Sequence, residues 1–155
     1  IDAFLYPKEN PELLYNAEQA KIAVGNGGFR GQGYLQGRQT RGNFVPEQES
    51  DFIFTAVGEE FGFVGSAALI AAYLFILWRI WRIAMVAKDM FGTILCFGVL
   101  AMLTYLIFQS IGMSIGIMPI TGIPLPWMSH GGSSTLALFI SLGLVLNVNA
   151  RRFTR

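Results

Sequence analysis

Asp51 is the residue of this chain best placed to do chemistry. It lies in Pro46-Glu-Gln-Glu-Ser-Asp-Phe-Ile-Phe54, at the expected start of a helix that runs into a long uncharged stretch. A carboxylate held where water gives way to lipid is costly unless something satisfies it or uses it. Two readings follow: a cap on the helix N-terminus, or a general base that takes a proton from an acceptor hydroxyl. Glu47 and Glu49 stand close enough in sequence to share a divalent cation with Asp51, or else are solvated loop acids. Ahead of them Arg30, Arg38 and Arg41 form a loose basic group. They either balance the loop acids or clamp a pyrophosphate, whose oxygens match guanidinium forks. Carboxylate and arginines together suit glycosyl transfer from a lipid pyrophosphate, one removing the proton and the others stabilising the leaving group.

A second group lies in Pro119-Ile-Thr-Gly-Ile-Pro-Leu-Pro-Trp-Met-Ser-His-Gly-Gly-Ser-Ser134. Three prolines exclude a simple helix, so this apolar link is expected to re-enter the membrane or fold onto a bundle. Ser133 and Ser134 open the next helix, where small residues at an N-terminus can hold an anion, or where Ser133 simply caps. His130 is the only histidine and Cys96 the only cysteine. A His-rich or Cys-based metal site and an internal disulfide are therefore excluded within this sequence.

The elements that must position these residues are helical and membrane-spanning. The sequence is 53% hydrophobic, with a mean hydropathy of +0.49. Phe61–Trp78 is free of charge, as is Met90–Phe108, which can continue beyond Gln109, and a shorter run from Ser134 to about Val148 can use its flanks to complete a crossing. At ~1.5 Å per residue the first reaches roughly 27 Å, close to the ~30 Å hydrocarbon thickness. The expected fold class is all-α, a polytopic helical bundle with about three transmembrane helices and a large loop region.

Arg79, Arg82 and Lys88 separate the first two spans, and Arg151, Arg152 and Arg155 follow the third, whereas residues 109–133 carry no Lys or Arg. The positive-inside rule puts both basic segments in the cytoplasm. Residues 1–58 and the 109–133 loop are then extracytoplasmic, residues 59–150 hold the spans and residues 151–155 form a cytoplasmic tail. The near-neutral net charge of +1 gives no nucleic-acid footprint. Without an initiator Met, the sequence reads as part of a longer membrane protein.

Within residues 1–58, Leu13, Leu14, Ala17, Ala20 and Val24 have helical spacing, and Gly25 is the expected stop. This helix either packs on the protein surface or lies on the membrane. Residues 25–37 then hold six glycines, read as a flexible linker or as a loop open to phosphate, without a Walker pattern. Glu59 and Glu60 meet the membrane boundary, one expected to face protein and the other water. Gly58/Gly62 and Gly112/Gly116 suit close helix packing.

The Pro46–Gly65 block, the Pro119–Ser134 block and the ending Asn147-Val-Asn-Ala-Arg-Arg152 resemble the SEDS family (shape, elongation, division and sporulation). The resemblance covers nearly the whole chain and corresponds to the C-terminal third to half of a ten-span protein. The Gly-Ile-Pro-Leu-Pro form at 122–126 is closer to the RodA (elongation) type than to the FtsW (division) type. The resemblance implies a glycosyltransferase that polymerises lipid II at the outer face of the bacterial cytoplasmic membrane. It also implies a class B penicillin-binding transpeptidase as partner, and a divalent cation, magnesium or manganese. It maps the family's essential aspartate onto Asp51, as catalytic or cation-binding carboxylate. His130 stands where the family usually has Tyr. A lipid II transporter and a scaffold that recruits the penicillin-binding protein are the rival functions.

Overall fold

The three uncharged runs form the cores of three long helices. The computed structural model describes residues 11–37 and 51–151, and every regular element among them is α-helical. In chain order these are α1 (Pro11–Gly27), α2 (Ile53–Met85), α3 (Met90–Ser114) and α4 (Gly132–Arg151). The last three are long and apolar enough to cross a membrane. α1 and α3 pack against α2, while α4 leans mainly on α3. Tyr73, Ile80, Ala84, Cys96, Leu103, Ile107, Leu138 and Val145 build the shared core. Large apolar side chains such as Phe63, Leu74, Phe75, Phe108 and Phe139 point away from it. An apolar outer surface is what lipid, or further spans, can cover.

The helices outrun the apolar stretches that announced them. α2 begins at Ile53 rather than near residue 59, and it carries Arg79 and Arg82 inside its last turns. The Arg82 guanidinium lies 5.4 Å from the centre of the Trp78 ring, so the charge is held at the helix end by an aromatic face. α3 continues past Gln109 to Ser114, which shortens the 109–133 loop, and α4 uses both flanks of its run to reach 20 residues. α1 also passes its expected stop at Gly25 and ends at Gly27.

Gly62 breaks α2 from within, at φ 64° and ψ −158°. In an uninterrupted helix the Phe63 and Val64 N–H groups would bond the Glu59 and Glu60 carbonyls. Here all four groups find partners in the glycine-rich segment after α1. Phe63 N donates to Gly28 O at 2.9 Å and Val64 N to Phe29 O at 3.3 Å, while Gln32 N and Gly33 N donate to Glu59 O and Glu60 O, each at 3.0 Å. The segment is therefore neither a linker nor an open phosphate loop. It is a backbone splint.

Its glycines are needed because the two backbones nearly touch. A side chain at Gly27 would strike the Gly58 carbonyl, and one at Gly31 would strike that of Glu60. Beneath the splint both Glu59 and Glu60 are buried, which corrects the expectation that one faces water. Gly58 packs on Val24 of α1, in keeping with its small-residue reading.

Gly62→Ala should lower the thermal midpoint of the detergent-solubilised full-length parent. Its backbone lies where non-glycine residues cost about 1–3 kcal/mol, and the new Cβ would meet the Gly31 amide. Gly143→Ala, with nothing within 4 Å of the added carbon, should leave the midpoint unchanged or raise it.

Candidate functional site

Asp51 occupies the turn just before α2 and is half-buried. The residue at the helix cap is Phe52, and no side chain bonds the free amides there. Thr55 closes the first turn instead, with both its amide (2.9 Å) and its hydroxyl (2.6 Å) donating to Phe52 O. The capping role considered for Asp51 is thus not the one its carboxylate performs. No hydrogen bond or ion pair of that carboxylate falls among the described residues.

Position 51 is held by its neighbour. The Phe52 ring is buried with Ala20 of α1 and with Ile120 from the proline-rich loop. Next to Ile120, the loop turns at Gly122 with φ 64°, and a methyl group there would lie 3.1 Å from Asp51 Oδ2. The two sequence blocks singled out for chemistry therefore meet, the carboxylate of one lying against the bare backbone of the other.

The loop from 115 to 131 folds onto the bundle, and its prolines dictate how. A non-helical, proline-containing segment leaves carbonyls that no neighbouring amide can satisfy. Side chains of the spans supply the donors. Buried Gln109 of α3 donates from Nε2 to Pro119 O at 3.0 Å and to Thr121 Oγ1 at 3.1 Å. Buried Tyr73 of α2 donates its hydroxyl to Pro126 O at 2.6 Å. Ser129 Oγ accepts from Leu125 N at 2.8 Å, closing a turn over buried Leu125 and Pro126. Gln109 and Tyr73 were not among the residues picked out from sequence. The available signal was a polar side chain inside an otherwise apolar span.

The remaining predicted residues divide. Ser134 donates to Gly131 O at 3.0 Å, and Thr135 N reaches the same carbonyl, so Gly131 organises the start of α4. Ser133 is exposed within the first turn, two residues beyond the cap position at Gly131. Arg30 has an exposed side chain, while its backbone lies under the Gly62 break. No hydrogen bond or ion pair joins Asp51 to Arg30, Ser133 or Ser134 among the described residues. Arg38 and Arg41, like Glu47 and Glu49, lie outside the described residues. Among those described, no three His, Cys, Asp or Glu side chains gather as a metal cage. His130 is exposed and Cys96 is a buried free thiol.

Fold and site together define a polytopic helical membrane protein with a half-buried carboxylate, Asp51, just before its first long helix and against a proline-rich loop. The chain belongs to the FtsW/RodA/SpoVE family of cell cycle proteins, whose family model matches residues 1–153. It is similar to the peptidoglycan glycosyltransferase MrdB of Escherichia coli K12, at 41% identity over 89% of this chain and 37% of that protein. It is equally similar to the peptidoglycan glycosyltransferase RodA of Treponema pallidum, at 41% identity over 96% of this chain and 35% of the other.

Among solved structures, a chain of a peptidoglycan synthase complex matches 99% of this chain with a TM-score of 0.75 and 27% identity. That match covers 41% of the solved chain, so this sequence spans well under half the length of the proteins it resembles. The RodA-type expectation agrees with these relatives. Family and apolar helices place the chain in the bacterial cytoplasmic membrane as a multi-pass protein.

Tyr73→Phe would leave the buried Pro126 carbonyl without its donor. Losing a buried partner costs about 1–3 kcal/mol. The expected result is a lower thermal midpoint of the full-length parent, with faster proteolysis of the 115–131 loop under native conditions.

Proposed function

We propose that the full-length parent of this chain is a peptidoglycan glycosyltransferase that polymerises lipid II into glycan strands, and that Asp51 is its reactive carboxylate. The observation that carries the reading is the Asp51 side chain itself, uncapped, half-buried and set against Gly122 at the start of a membrane-crossing helix. The relatives named glycosyltransferases lend support, though each is more than twice as long as the part matched here. Loop charges favour an extracytoplasmic site, since Arg79, Arg82, Lys88 and Arg151 cluster at the opposite ends of the helices.

In this reading Asp51 takes the proton from the acceptor hydroxyl as that oxygen bonds the donor sugar and the lipid pyrophosphate departs. Arg38 and Arg41, with Arg30 as a lesser contributor, neutralise the departing pyrophosphate, and the α4 N-terminus at Ser133 and Ser134 offers a further anion contact. Among the described residues Asp51 is the carboxylate that would hold magnesium or manganese, and Glu47 and Glu49 are the nearest further acids in the sequence. Such a cation, when bound, supplies charge neutralisation at the leaving group. The partner in this scheme is a class B penicillin-binding transpeptidase, which crosslinks the strands as they form.

The deciding experiment is strand synthesis from labelled lipid II by the full-length parent with its transpeptidase, wild type against Asp51→Asn. The substitution keeps side-chain size and removes the charge. The rate should fall by roughly two to four powers of ten, the range expected for a lost acid–base group. A folded variant that works at the wild-type rate would sink the catalytic assignment. A wild-type parent that moves lipid II between leaflets without making strands would turn the reading to transport.

A further inference from the structure

We propose that Gln109 is a positioning residue for Asp51, acting across the membrane-facing bundle through the proline-rich loop; the proposal rests on Asp51 being the reactive carboxylate. Three observations combine. Gln109 is buried on α3, and its amide holds the loop at two points, Pro119 O and Thr121 Oγ1. Those points straddle Ile120, the loop residue that packs with buried Phe52, the neighbour of Asp51. One residue beyond the second point lies Gly122, whose Cα hydrogen faces Asp51 Oδ2. One side chain thus fixes both surfaces that set the carboxylate, the apolar seat of residue 52 and the wall beside Oδ2.

The chemistry of the clasp explains why an amide is used. Pro119 O and Thr121 Oγ1 both accept, and only a primary amide offers two N–H bonds to two acceptors from one uncharged atom. A carboxylate there would repel the proline carbonyl, and an ammonium would bury a charge without a counterion at the clasp. Gln109 touches neither Asp51 nor a substrate, so its effect must pass through the 119–122 segment. Gly122 allows this close approach because its φ of 64° and missing Cβ let the loop sit flush against the carboxylate.

The test uses the full-length parent in complex with its transpeptidase. Gln109→Leu removes both donors at similar volume, and Thr121→Val removes one acceptor at a solvent-exposed position. Thr121→Ser keeps the hydroxyl and serves as the conservative rescue. Strand synthesis gives kcat and KM for lipid II. In parallel, Asp51→Cys in a cysteine-free background is labelled with a charged maleimide, which reads the shielding of position 51 without any need for activity.

The expected result for Gln109→Leu and Thr121→Val is a kcat lowered roughly ten- to a hundredfold, with KM changed by less than about threefold. Labelling at position 51 should rise several-fold in the same variants, and Thr121→Ser should match wild type in both assays. Unchanged labelling, or unchanged kcat in folded variants, overturns the proposal. So does a loss in which KM rises as much as kcat falls. Should Gln109→Leu fail to fold, Thr121→Val against Thr121→Ser decides by the same criteria. A wild-type parent that makes no strands removes the glycosyltransferase reading, and the labelling arm alone then decides whether Gln109 sets position 51.

Discussion

The structure depends on one exchange of backbone hydrogen bonds. A helix broken at the edge of a membrane exposes two amides and two carbonyls where little water can reach them, and each unsatisfied group would be expensive. Gly62 creates that break, and the segment after α1 repairs it with two donors and two acceptors in matching order. The repair fixes where α1 lies, and α1 brings Ala20 to Phe52. The outer stub of α2, and with it Asp51, takes its direction from this splint rather than from the lipid-embedded part of the same helix.

The proline-rich loop is governed by the same accounting in a different form. Its prolines remove amides and leave carbonyls, so it cannot satisfy itself. Donors come from two spans, Gln109 on α3 and Tyr73 on α2, and each reaches a proline carbonyl. The loop is therefore a fixed surface rather than a tether, and its least bulky point faces the carboxylate. Asp51 spends no hydrogen bond among the described residues on holding this arrangement, which leaves it available to a bound molecule.

Much of this was legible in the residues, and the failures have a common cause. Span number and fold class follow from uncharged run lengths, and the place of Asp51 just before a span follows from its sequence neighbours, all of them local properties. The extension of α3 past Gln109 and of α4 into its flanks is legible too, whereas α2 overruns its uncharged stretch because hydrogen bonding continues past the point where hydrophobicity stops, carrying Arg79 and Arg82 along. The sequence of 25–37 suggests a linker or phosphate loop because glycine content signals freedom from a side chain without saying which neighbour requires it. Gly31 and Gly62 need each other, and no property of either stretch alone reveals that. Gln109 and Tyr73 escaped notice for the same reason, since each looks like a stray polar residue until its proline carbonyl is in view. Ser133 has the sequence context of a cap because it precedes an apolar run, yet the helix starts two residues sooner than such a cap requires, and Gly131 receives its first bonds.

The contact between Asp51 and Gly122 also bears on how such a protein is made. Asp51 leaves the ribosome before its wall, which emerges only after α2 and α3. The Gln109 clasp is short-range in sequence and can close as soon as α3 and the loop exist, but the carboxylate waits until that moment for its setting. Within this stretch the order of synthesis is therefore splint, then α2 and α3, then the loop that lies against Asp51. A chain stalled or cut before α3 would carry Asp51 without the loop that lies against it.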